Sequence, residues 1–103
     1  MKPSKAVMTL GLAARAGKVQ SGEMMTEKAI RSGSACLLIL AEDASEKTIK
    51  RFSDHAAYYD VPVMFVENRE MLGKAIGKDF RSMAVVTDMN LAALIKEQLK
   101  DGK

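Results

Sequence analysis

Histidine and cysteine are almost missing: His55 and Cys36 are the only ones among 103 residues. One thiol cannot form an intramolecular disulfide, and nothing points to an oxidising compartment. Nucleophilic catalysis of the Ser-His or Cys-His kind needs an imidazole within hydrogen-bond reach of the nucleophile. His55 falls on the side of a predicted helix away from Ile49 and Phe52, where a solvent-facing role is expected. A zinc site takes three or four ligands, usually cysteine and histidine, so one of each does not supply it. The expectation is therefore a chain with no catalytic residues, no metal and no cofactor.

Long apolar runs are absent too. The run nearest the N-terminus is broken by Arg15 and Gly17, short of the roughly 20 residues that a membrane span needs. No uninterrupted apolar segment with a convincing cleavage site marks a secretory signal. These absences predict a cytoplasmic protein with no membrane partner. Aromatic residues are few, three Phe and two Tyr. Phe52, Phe65 and Tyr59 fit a core, whereas Phe80, set between Asp79 and Arg81 in a polar stretch, is the exception and the candidate for stacking.

What is present is the make-up of an ordinary globular chain, 48% hydrophobic and 28% charged. Residues 1–103 match the usual size of one domain. The net charge of +3 permits a polyanionic partner without demanding one. Its distribution says more: residues 1–53 carry 9 basic against 5 acidic side chains, and residues 54–103 carry 7 against 8.

Punctuation by caps and glycines divides the chain. Ser4 caps a helix through Arg15, with Val7, Leu10, Ala13 and Ala14 on one face and Gly17 as its stop. Lys18-Val19-Gln20 reads as a very short strand, and Ser21-Gly22-Glu23 opens a second helix that Gly33 ends. Cys36 to Ala41 is continuously apolar, the pattern of a strand covered on both faces and central in its sheet. Ser45 caps a third helix with Ile49, Phe52, Ala56 and Tyr59 on its buried face, closed by Asp60. Pro62 leads into the strand Val63–Val66, and Asn68 caps a short helix carrying Met71, Leu72, Ala75 and Ile76 before Gly77. After a polar loop at 78–81 comes the strand Met83–Thr87. Asp88 then caps a last helix with Leu91, Leu94, Ile95 and Leu99 as its stripe, and the tail from Lys100 to Lys103 is expected to fray. Helices alternating with apolar strands predict an α/β fold, a sheet between helical layers.

Two glycine patterns approach phosphate-binding motifs and miss them. Five residues separate Gly11 from Gly17, and Val19 follows Lys18, where a phosphate-binding loop needs four residues and then Ser or Thr. Gly73-Lys-Ala-Ile-Gly77 lacks the rest of a dinucleotide fingerprint and is read as close packing and a helix stop. Glu42 and Asp43 end the central strand without a base, nucleophile or metal ligand beside them, and are read as organising the turn into the third helix.

One constellation favours a nucleic acid. A glycine at a helix start leaves several backbone N–H groups without intrahelical partners, where anions and base edges dock. Lys28 and Arg31 follow one turn apart on the same helix, within reach of a phosphate backbone.

The segments Ser21-Gly-Glu-Met-Met-Thr-Glu-Lys28-Ala-Ile, Leu38-Ile-Leu-Ala-Glu-Asp43-Ala-Ser, Val61-Pro62 and Leu72-Gly-Lys-Ala-Ile-Gly77 come in that order. Together they resemble the kink-turn RNA-binding ribosomal protein family of the L7Ae type, and most closely its bacterial YlxQ branch, over about Leu10 to Asp88. The resemblance implies a three-layer α/β/α sandwich with a central four-stranded mixed sheet. It implies binding of sharply bent RNA without catalysis, with structured RNA, ribosomal or other, as partner and ribosomal proteins as further partners. The family grips the sheared G·A pairs of the kink through the start of its second helix, matched here by Gly22, Met24, Met25 and Lys28. A basic residue ahead of the Leu-Gly pair matches Arg69, and the flipped base is held at positions matching Ser45 and Ile49. The loop after Gly77 contributes Lys78, Phe80, Arg81 and Met83, and Arg31 completes the candidate set.

The chain departs from the family where archaeal and eukaryotic members carry Asn-Glu, since it has Met24-Met25. Loss of good base-edge pairs removes roughly 1–3 kcal/mol of discrimination each, which shifts the expected recognition toward RNA shape. At least one of the two methionines is expected to pack. With 8 methionines in all, a protein-interaction module of the same fold is the alternative reading, because adaptable methionine surfaces suit protein grooves.

Overall fold

The computed structural model describes residues 4–101, the last two of them in backbone only. Five helices and four strands alternate: α1 (Lys5–Arg15), β1 (Val19–Ser21), α2 (Glu23–Ser32), β2 (Leu37–Ala41), α3 (Glu46–Tyr58), β3 (Val63–Val66), α4 (Arg69–Ala75), β4 (Met83–Val86) and α5 (Met89–Asp101). The expected caps form. Ser4 Oγ accepts from Val7 N–H at 3.2 Å, Asn68 Oδ1 from Met71 N–H at 2.7 Å, and Asp88 Oδ2 from Leu91 N–H at 2.8 Å. Each satisfies an amide that the first helical turn leaves without a partner.

The strands lie in the order β1-β4-β2-β3, with β4 antiparallel to β1 and β2, and β3 parallel to β2. The four-stranded sheet is thus mixed, as the family resemblance implies. Its residues alternate between two apolar layers. Leu37, Ile39, Ala41, Met64, Val66, Ala84 and Val86 face α1, α4 and α5. Leu38, Leu40, Met83 and Val85 face α2 and α3, where Ile30, Phe52 and Ala56 cover them. Helices on both faces explain why every residue of β2 and β4 is buried and why neither strand shows polar alternation. The three-layer α/β/α sandwich is therefore the fold.

Several expected core residues stand outside it. β3 is an edge strand, and Phe65 projects, 44% exposed, on the α2–α3 side, where two helices do not reach across four strands. Tyr59 is 42% exposed because α3 ends at Tyr58, and the chain turns away through Asp60 at φ 60°. Leu94 is exposed as well. The buried face of α5 runs instead through Ala92, Ile95 and the partly buried Leu99. His55 is half-buried rather than solvent-facing: its ring meets Phe52 edge-on at 6.0 Å, the expected result of an i, i+3 spacing. Its Nδ1 is buried without a hydrogen-bond partner among the described residues. α5 runs to Asp101, and residues 102–103 of the expected tail lie outside those described.

Candidate nucleic-acid interface

The topology gathers most of the candidate residues at one end of the sheet, while Arg31 lies away from it in the last turn of α2. Because β4 runs antiparallel to β1 and β2, its first residues lie beside the last residues of both, and β3 ends at the same level as β2. The start of α2, the turn from β2 into α3, the start of α4 and the loop that precedes β4 therefore share one edge of the molecule. Hydrogen bonds fix them to each other. Arg81 N–H donates to the Arg69 carbonyl at 3.1 Å, and Arg81 Nε donates to Ser21 Oγ at 3.2 Å. Arg69 N–H in turn donates to Asp43 Oδ1 at 2.8 Å, with Arg69 Nε 3.5 Å from the same oxygen.

α2 starts without a side-chain cap. Gly22 stands at its N-cap with φ 87°, a backbone conformation that disfavours any residue with a Cβ. Its own N–H is used, donating to the Met83 carbonyl at 3.2 Å. The first helical bond beyond it runs from Thr26 N–H to the Gly22 carbonyl at 3.0 Å. The amides of Glu23, Met24 and Met25 precede that bond, so the uncapped patch is three amides long and excludes that of Gly22. The positive end of the helix dipole lies at the same place.

Neither methionine packs in the core as one was expected to: Met24 is 81% exposed and Met25 41%. Lys28 is exposed, with no ion-pair partner among the described residues. Arg31 is exposed too, and its guanidinium is engaged by Glu27 at 2.9 Å. Met24, Glu27, Lys28, Arg31 and Ser32 line a shallow open depression.

Across from them the loop after Gly77 presents Lys78 and Phe80, the latter 65% exposed, while Arg81 is half-buried by its bond to Ser21. Met83 does not belong to the surface. It is the first residue of β4, its side chain lies in the core between the sheet and α2–α3, and only its carbonyl reaches the site. Ser45 caps α3, its hydroxyl accepting from Thr48 N–H at 3.1 Å and donating to Thr48 Oγ1 at 2.9 Å. Ile49, one turn along, is half-buried against the α2–α3 core layer.

Asp43, expected to organise the turn into α3, instead holds the start of α4. The pairing of Ser21 with Arg81 is not readable from the sequence, for no local pattern links residues 60 positions apart. Among the described residues no group of three metal-ligating side chains converges, and no helix is long and apolar enough to cross a membrane.

Comparison with known proteins agrees with this architecture. The family model described as the ribosomal protein L7Ae/L30e/S12e/Gadd45 family matches residues 5–95. The chain is 49% identical over 83 residues to the RNA-binding protein YlxQ of Bacillus subtilis, covering 81% of this chain and 83% of that one. It is 36% identical over 81 residues to the large ribosomal subunit protein eL8 of Halobacterium salinarum, covering 78% of this chain and 68% of that one. A solved structure of a Bacillus halodurans protein of unknown function superimposes with a TM-score of 0.90 at 38% identity, over 95% of this chain and 99% of that one.

Proposed function

The chain belongs to the ribosomal protein L7Ae/L30e/S12e/Gadd45 family, and from that premise we propose that it is a non-catalytic RNA-binding protein that recognises kink-turn RNA in association with the ribosome. The names of its relatives supply the partner class: one is an RNA-binding protein and the other a protein of the large ribosomal subunit. The observation that carries the reading is the 3.2 Å bond from Arg81 to Ser21. It sets the loop bearing Lys78 and Phe80 beside the uncapped start of α2, so that amides, a cation and an aromatic ring share one edge.

Each part has work suited to bent RNA. The three free amides and the helix dipole accept phosphate or base-edge oxygens, Lys28 meets a phosphate, and Phe80 stacks on an unpaired base. Met24 and Met25 offer flexible apolar contact where other members of the family read guanine edges, so recognition leans on the shape of the kink. Arg69, Ser45 and Ile49 border the same edge and take the flipped base. Gel shifts against a kink-turn RNA and a straight duplex of equal length test the proposal. Preference for the kinked form is expected, and equal affinity for both overturns it.

A further inference from the structure

Two carboxylates stand on the helix that this reading turns toward RNA. Glu23 is the first residue of α2, and Glu27 lies one turn on, directly before Lys28. Left bare, both would repel a phosphate backbone beside Gly22, Met24 and Lys28. They are not bare. Arg51 reaches over from α3, donating through one Nη to Glu23 at 3.2 Å and through the other to Glu27 at 2.5 Å. Arg31 takes the second oxygen of Glu27 at 2.9 Å. The Arg51 guanidinium also lies 5.0 Å from the centre of the Phe52 ring, which is fully buried and so gives the arginine a fixed platform. A planar fork with two donor ends is what bridging two separate carboxylates requires, and lysine lacks it.

From this arrangement we infer that Arg51 is a positioning residue for RNA binding that never touches the RNA: it neutralises Glu23 and Glu27 and holds them against α3, leaving Lys28 as the effective charge of the helix start. The inference rests on the proposed reading that α2 meets RNA.

A double-mutant comparison tests it, with wild type, Arg51→Gln, the pair Glu23→Gln/Glu27→Gln, and all three changes together titrated with a kink-turn RNA at several salt concentrations. Arg51→Gln alone is expected to weaken binding roughly two- to fivefold, the scale on which exposed charges act, mostly through slower association at low salt. With both acids already replaced, the same change is expected to alter affinity by less than about twofold, the scatter of independent sites. Equal loss in both backgrounds, with a salt slope lower by about one counterion, makes Arg51 a direct phosphate contact and overturns the inference. No loss in either background overturns it too, as does a fall in thermal stability with affinity unchanged. If wild type binds neither kinked nor duplex RNA, the underlying reading fails first and the role of Arg51 with it.

Discussion

A Cβ added to Gly73 would stand 1.4 Å from the Asp79 carbonyl oxygen. The loop after α4 therefore passes directly over a helical residue that has no side chain, and the Gly73 carbonyl accepts Lys78 N–H at 2.8 Å in the same contact. Gly73→Ala must push residues 78–79 outward. Such backbone displacement costs about 1–3 kcal/mol, and here it also moves Phe80 and Arg81. The expected outcome is a lower midpoint in chemical denaturation together with weaker RNA binding. An alanine variant with unchanged stability and affinity would show that the loop is free to shift.

The central strand carries a different prediction, for stability alone. Ile39 is fully buried in β2, between α1, α4 and α5 and the neighbouring strands. Ile39→Ala removes about three side-chain carbons from a site that helices on both sides keep from collapsing. A loss of about 2–5 kcal/mol is expected, the range for such truncations, measured by urea unfolding with the slope unchanged.

The reasons why some of this was legible in the sequence and some was not are physical. Caps at Ser4, Ser45, Asn68 and Asp88 act within three residues of themselves, so local pattern reveals them. The uninterrupted run of β2 likewise encodes its burial on both faces. Phe65 and Tyr59 are apolar enough for a core, and only the edge position of β3 and the end of α3 expose them. Met83 could be assigned to the loop surface because the boundary between loop and strand falls right at it. The tie of Arg81 to Ser21 and the fork of Arg51 across Glu23 and Glu27 arise from the packing of elements distant in sequence, where no spacing rule applies.

Asp43 links the turn after β2 to the start of α4, and its effect separates by substitution. Asparagine keeps the Oδ1 that accepts Arg69 N–H, whereas alanine leaves that amide of the first helical turn without its partner. Asp43→Ala is expected to lower stability by about 1 kcal/mol, the usual worth of a single capping-type bond, and Asp43→Asn by less. Thermal unfolding of the two variants measures the difference. Equal losses in both would assign the effect to the ion pair with Arg69 rather than to the backbone bond.

Lys28 and Arg31 sit one turn apart on α2, carry the same charge and differ in what already holds them. Arg31 is engaged by Glu27, so RNA must compete with that carboxylate for it; Lys28 has no such partner among the described residues. Neutralising a phosphate releases about one counterion per contact. Lys28→Ala should therefore lower affinity for a kink-turn RNA and flatten the plot of log affinity against log salt by about one unit. Arg31→Ala should change that slope by less, because the arginine's charge is already engaged by Glu27, which Arg51 still holds once Arg31 is removed. Fluorescence anisotropy at four or more salt concentrations resolves the two slopes. If the Arg31 variant shows the larger change, Glu27 yields its partner on binding, and the phosphate track runs along the later turns of α2 instead of across its start.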